Sequence, residues 1–106
     1  MHIYIAGIGG SGLAPLAHLA LDLGITVSGS DIVASETLTK LSNRQAKIST
    51  VQDGKFIEQI HSEDFIDWFI YTSAIKTKLI QSINLLNNGT RITQKTKFEF
   101  LNVAVS

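Results

Sequence analysis

No cysteine occurs in the 106 residues. Disulfide frameworks, thiolate zinc sites and a thiol nucleophile are therefore excluded. There is no excess of either charge: Lys+Arg and Asp+Glu balance at 9 each. A chain without net charge has no bulk electrostatic grip on nucleic acid or on an anionic membrane, so neither is expected as a partner. A local anion site built from backbone N–H groups is untouched by that exclusion. Long apolar runs are missing too. The most apolar stretch, Leu13 to Leu23, is too short to span a bilayer and is broken by His18 and Asp22. The opening Met1-His2-Ile3-Tyr4-Ile5 carries no basic segment or cleavage site, so a cytoplasmic protein is expected. The three histidines (His2, His18, His61) are scattered without metal-ligand spacing. His61-Ser62-Glu63-Asp64 reads as a polar turn, and no metal site is assigned. Ser73 lacks usable His and Asp partners, so no catalytic nucleophile is assigned either.

What is present is an ordinary globular composition, 44% hydrophobic and 17% charged, at a length that suits one domain. Residues 2–6 form an apolar run ending at Gly7, the look of a buried strand. Leu13–Leu23 is apolar on almost every side, as expected of a helix packed deep against a sheet. Pro15, the single proline, falls in its first turn, where a missing N–H costs little, and Gly24 follows where a helix end favours a left-handed residue. Strands are expected again at 25–29, 46–51, 67–72, 91–93 and 103–105. Helical segments are expected around Leu38 and Leu41, over 55–61 and over 77–88, with a helical turn at 96–101. Trp68 and Phe69 are assigned to the core, with a sheet-edge position as the alternative for Trp68, and His18 is expected to be buried or at an interface rather than a ligand. This alternation predicts an α/β, Rossmann-like, doubly wound and mostly parallel five-stranded sheet with helices on both faces, in a single domain.

Gly7-Ile8-Gly9-Gly10-Ser11-Gly12 fits G-x-G-x-x-G at residues 7, 9 and 12, directly after the first strand and before the first helix. Gly7 permits a tight turn, Gly9 lets a ligand approach the backbone without meeting a Cβ, and Gly12 is expected to let the helix pack close to the strand. The first N–H groups of that helix have no partner within it, and with the helix dipole they favour a phosphate or diphosphate. Asp31 closes the second strand, about twenty residues beyond the loop, where an acid in such folds bonds a ribose hydroxyl. The loop and the acid alone suit two ligands equally: a sugar nucleotide, or the NAD(P) of an oxidoreductase or nucleotide sensor.

The wording of these segments is more particular. G-I-G-G-S-G-L-A at 7–14, V-S-G-S-D at 27–31 and T-S-A-I-K at 72–76 resemble the Mur ligases, and among them the alanine-adding branch, as do Leu38, Leu41 and Ala46-Lys47-Ile48. In that family a strand of the type I-A-V-A/S leads into the P-loop G-T-H-G-K-T, and this chain closes on Val103-Ala104-Val105-Ser106. The resemblance thus implies that residues 1–106 are the N-terminal, UDP-sugar-binding domain of a longer chain, without its central ATPase and C-terminal domains. It implies an ATP-dependent acid–amino-acid ligase of peptidoglycan biosynthesis, acting on UDP-N-acetylmuramate. ATP and Mg²⁺ would serve the whole enzyme and no cofactor this piece, which alone would be inactive. By the same resemblance, the backbone of Ile8, Gly9, Gly10, Ser11 and Gly12 would cradle the diphosphate. Ser30 and Asp31 would meet the ribose or uracil, and Ser73, Ala74 and Ile75 would border the crevice.

Three departures stand out. Pro15 replaces the family's usual small residue, and Leu13 its common methionine. Gln94-Lys95-Thr96-Lys97-Phe98 stands where members carry an arginine in R-A-E/Q-M-L. Lys95 would supply the charge there without the planar bidentate fork. The tripeptide-recycling branch usually has G-I-C-G-T in its glycine loop, which this chain lacks.

Overall fold

The apolar opening run becomes the middle of the sheet. In the computed structural model, which describes residues 1–51, 54–72 and 89–95, strand β1 (His2–Ala6) is buried at all five positions. It is paired along both edges and covered on both faces, which explains why its sequence shows no polar alternation. Strand β2 (Thr26–Ser30) flanks it on one side, with β3 (Lys47–Ser49) outside that. Strand β4 (Trp68–Thr72) flanks it on the other, with β5 (Arg91–Lys95) beyond. The order is β3-β2-β1-β4-β5 and every pairing is parallel.

Helices cover both faces. Helix α1 (Ala14–Asp22) and helix α2 (Glu36–Asn43) bury Leu13, Ala17, Ala20, Leu38 and Leu41 against Ile3, Ile5, Val27 and Ile70. Helix α3 (Lys55–Glu63) buries Ile57 and Ile60 on the opposite face against Tyr4, Ala6 and Phe69. Tyr4 and Phe69 stack there with centroids 5.4 Å apart. The expected doubly wound architecture is what forms, with strand and helix bounds shifted by a residue or two. The expected helix at 77–88, turn at 96–101 and strand at 103–105 lie outside the described residues.

Helix α1 does not bury its bulk as its composition suggests. Its inward face is the small-residue row Ala14, Ala17 and Ala20, whereas Leu19 is 46% exposed and Leu23 just beyond the helix 69%. An alanine row brings the helix axis close to the sheet, and that closeness positions the loop leading into it. Two helix ends are built alike. After α1, Ile25 N–H reaches Ala20 O and Gly24 N–H reaches Leu21 O, with Gly24 at φ +77°. After α2, Ala46 N–H reaches Leu41 O and Gln45 N–H reaches Ser42 O, with Gln45 at φ +73°. Both are Schellman ends, but only the first has the residue that takes a left-handed backbone without strain.

Candidate functional site

With α1 and α2 on one face and α3 on the other, the crossover direction changes at β1. In open parallel sheets the crevice for ligands lies at the carboxyl ends of the strands at such a switch. The glycine loop leaves β1 at that point. Gly7 turns the chain at φ +89°. The Gly7 and Ile8 N–H groups both donate to the Ser30 carbonyl, at 2.7 and 3.1 Å, so the loop is stitched to the end of β2. Gly10 N–H donates to Gly7 O, and the Leu13 and Ala14 N–H groups donate to Gly10 O. Gly9 N–H donates to Asp31 Oδ2 at 2.9 Å. The Ser11 and Gly12 N–H groups are left with no acceptor among the described residues. They are adjacent, exposed or half-buried, and lie just before Leu13, the N-cap of α1.

The glycines divide by function. A Cβ on Gly9 would meet Asp31 Oδ2 at 2.8 Å and Leu38 Cδ2 at 3.2 Å, so close approach is required there, though by the protein's own carboxylate. A Cβ on Gly12 would meet nothing within 4 Å. The expectation that Gly12 serves close helix–strand packing therefore fails: α1 achieves its approach through its alanines, and Gly12 faces open space. The glycine that packing does demand is Gly29, where a Cβ would lie 2.4 Å from Ile5 O and 2.9 Å from Ile8 Cδ1. A glycine inside a strand was the available signal for it.

The other expected site residues are placed as follows. Ile8 is fully buried in the core, so its side chain supports the loop from below. Ser30 is also fully buried, and its Oγ has no hydrogen-bond partner among the described residues. Asp31 is half-buried. Besides Gly9 it accepts the Val33 N–H on Oδ1 at 3.0 Å, and its own N–H donates to Ser49 O. Lys95 ends β5, in register with Thr72 of β4. Ser73, Ala74 and Ile75 lie outside the described residues.

The amino ends of the strands hold a second polar cluster that sequence reading missed. His2 is 3% exposed. Its Nε2 lies 2.7 Å from Ser28 Oγ and its Nδ1 3.0 Å from the Asp64 carbonyl, with the Asp64 carboxylate at 3.5 Å. Its main-chain N–H donates to Asp67 Oδ2 at 2.7 Å. The Nδ1–carbonyl contact requires the proton on Nδ1, so in the neutral ring Nε2 accepts from the Ser28 hydroxyl. Every polar atom of His2 thus has a partner, in a cluster that ties β1 to β2 and to the α3–β4 connection. A histidine in an apolar run has no spacing that announces such a role. His18, expected to be buried or at an interface, is half-buried on α1 and meets Arg44: Arg44 Nη1 lies 2.9 Å from His18 Nδ1, and Arg44 also pairs with Asp22.

Comparison with known proteins agrees with this fold. The model of the Mur ligase family catalytic domain matches residues 2–98. The chain belongs to the Mur ligase family. It is 41% identical over 75 residues to the UDP-N-acetylmuramate–L-alanine ligase of Persephonella marina, an alignment covering 71% of this chain and 15% of that protein. The crystal structure of a murein peptide ligase from Psychrobacter arcticus superimposes with a TM-score of 0.71 at 30% identity, over 97% of this chain and 20% of that one. A yeast methylglyoxal/isovaleraldehyde reductase complexed with NADPH reaches 0.66 at 19% identity, over 89% of this chain and 37% of its own, and shows a shared fold alone. The chain therefore spans only about a sixth of the curated relative's length.

Proposed function

We propose that this chain is the N-terminal domain of a UDP-N-acetylmuramate–L-alanine ligase and holds the UDP end of that enzyme's nucleotide-sugar substrate. The observation that carries the proposal is the pair of amides, Ser11 and Gly12, that have no acceptor among the described residues and lie at the sheet's switch point in a chain of this family. The diphosphate would rest on these N–H groups. The ribose or uracil would lie toward Ser30 and Asp31, with Ser73, Ala74 and Ile75 along the crevice and Lys95 as a nearby positive charge. Anchoring a non-reacting part of the substrate lets binding energy place a distant carboxylate for reaction.

ATP and Mg²⁺ would activate that carboxylate in the full-length enzyme. The residues described here do not gather a set of His, Asp or Glu side chains fit to hold a metal ion, and the sequence has no G-x-x-x-x-G-K-[ST] run. That chemistry is assigned to the lengths of the relatives that this chain does not match, so the chain alone would not turn over. A cytoplasmic site of action belongs to the same proposal, and no helix among the described residues is long and apolar enough to cross a membrane.

The test is a calorimetric titration of the chain with UDP-N-acetylmuramate, UDP and NAD. Saturable heats with both uridine compounds and none with NAD are expected. Saturable binding of NAD without response to the uridine compounds would replace this reading by the dinucleotide one.

A further inference from the structure

The loop from Gly7 to Gly12 holds four of the chain's eight glycines. A glycine-rich segment has the largest conformational freedom to lose, so something must fix its shape before it can present amides to a ligand at low cost. The Ser30 carbonyl fixes its first two residues. Among the described residues, the only hydrogen bond that ties Gly9 to Gly12 to another element, short of α1 itself, is the one to the Asp31 carboxylate. We propose that Asp31 is a positioning residue: its two oxygens, one on Gly9 N–H and one on Val33 N–H, clasp the glycine loop to the end of β2. The clasp holds the Ser11 and Gly12 amides toward the crevice before any ligand arrives.

The chemistry of the clasp is specific. Two N–H donors approach two different oxygens of one carboxylate, Oδ2 for Gly9 and Oδ1 for Val33. An asparagine has one acceptor oxygen, and its NH₂ group would face the second donor. Gly9 must lack a Cβ because Oδ2 sits 2.8 Å from where that atom would be, and the Leu38 side chain closes the same spot from α2. The carboxylate also stands beside the proposed diphosphate, where its charge alone opposes an anion. A positioning role and a plain ribose contact therefore predict opposite outcomes for a ligand that has no ribose.

The experiment uses Asp31→Asn and Asp31→Ala in the 106-residue chain, with two readouts. The first is amide hydrogen exchange in the ligand-free protein, which does not depend on the proposed function. Gly9 and Val33 should lose protection at least about tenfold in both variants, while Ile5 and Ile70 in the core keep theirs and show that the fold is intact. The second is binding of inorganic pyrophosphate. If Asp31 positions the loop, affinity falls about tenfold in both variants although a negative charge has been removed. If Asp31 serves only to meet a ribose, pyrophosphate binds as well as before or more tightly. Unchanged protection of Gly9 and Val33, or undiminished pyrophosphate affinity, overturns the proposal. Should the unsubstituted chain bind neither pyrophosphate nor the uridine compounds, the function proposed above fails while the exchange measurement still decides the clasp.

Discussion

Ser28 and Ser30 lie two residues apart on β2, project to the same face and are both buried to within 1%. Ser28, in the middle of the strand, shares a 2.7 Å hydrogen bond with His2 at the amino end of β1. Ser30, at the carboxyl end, has a hydroxyl with no partner among the described residues. The same contrast holds for the two ends of the sheet. At the amino end the donors and acceptors of His2, Ser28, Asp64 and Asp67 close on one another, the behaviour of a part whose work is stability. At the carboxyl end Ser11 N–H, Gly12 N–H and Ser30 Oγ have no partner among the described residues. The proposed ligand site thus lies where the described residues leave polar groups without a protein partner.

The comparison can be broken most severely at its glycines. Gly29→Ala forces a Cβ to 2.4 Å from a main-chain carbonyl and should lower stability by about 3 kcal/mol in denaturant unfolding. Gly12→Ala meets nothing. It should change stability by less than about 1 kcal/mol while weakening UDP-N-acetylmuramate binding in calorimetry.

At the amino end, His2→Ala strands the Ser28 hydroxyl and the Asp64 carbonyl and opens a cavity. A loss of about 2 kcal/mol is expected, with ligand affinity unchanged once the protein is folded. The two serines sharpen the contrast by sign. Ser28→Ala should destabilise by about 1 kcal/mol, because His2 Nε2 loses its partner, whereas Ser30→Ala should be neutral or stabilising by up to about 1 kcal/mol. The smallest effect belongs to the helix ends. Gln45→Gly removes left-handed strain and should raise stability by about 0.5 kcal/mol, read as a shift in urea midpoint at constant m-value.

The sequence made the carboxyl end legible and the amino end nearly invisible, for a physical reason. Gly7 to Gly12 and Asp31 are residue types whose special backbone or charge shows in one dimension, and their spacing follows from the length of one strand and one helix. His2 draws its role from Ser28, Asp64 and Asp67, which are far from it along the chain. No local pattern marks such a cluster. Within the site, the loop's position could be read, but which amides stay free could not. That depends on Asp31 folding back onto Gly9 and on the Ser30 carbonyl taking two donors, contacts fixed by tertiary register. The role of Gly12 departs from expectation for the same reason, since the alanine face of α1 supplies the close packing expected of it.

The central claim is that the carboxyl end of the sheet is an unfinished anion site centred on two amides. The most direct measurement is a ¹⁵N–¹H correlation titration of the chain with UDP-N-acetylmuramate. The Ser11 and Gly12 amide signals should move first and furthest, shifting downfield as they gain an acceptor, while His2 and Ser28 stay still. Saturating ligand that leaves Ser11 and Gly12 in place, or that moves the amino-end cluster instead, would contradict it.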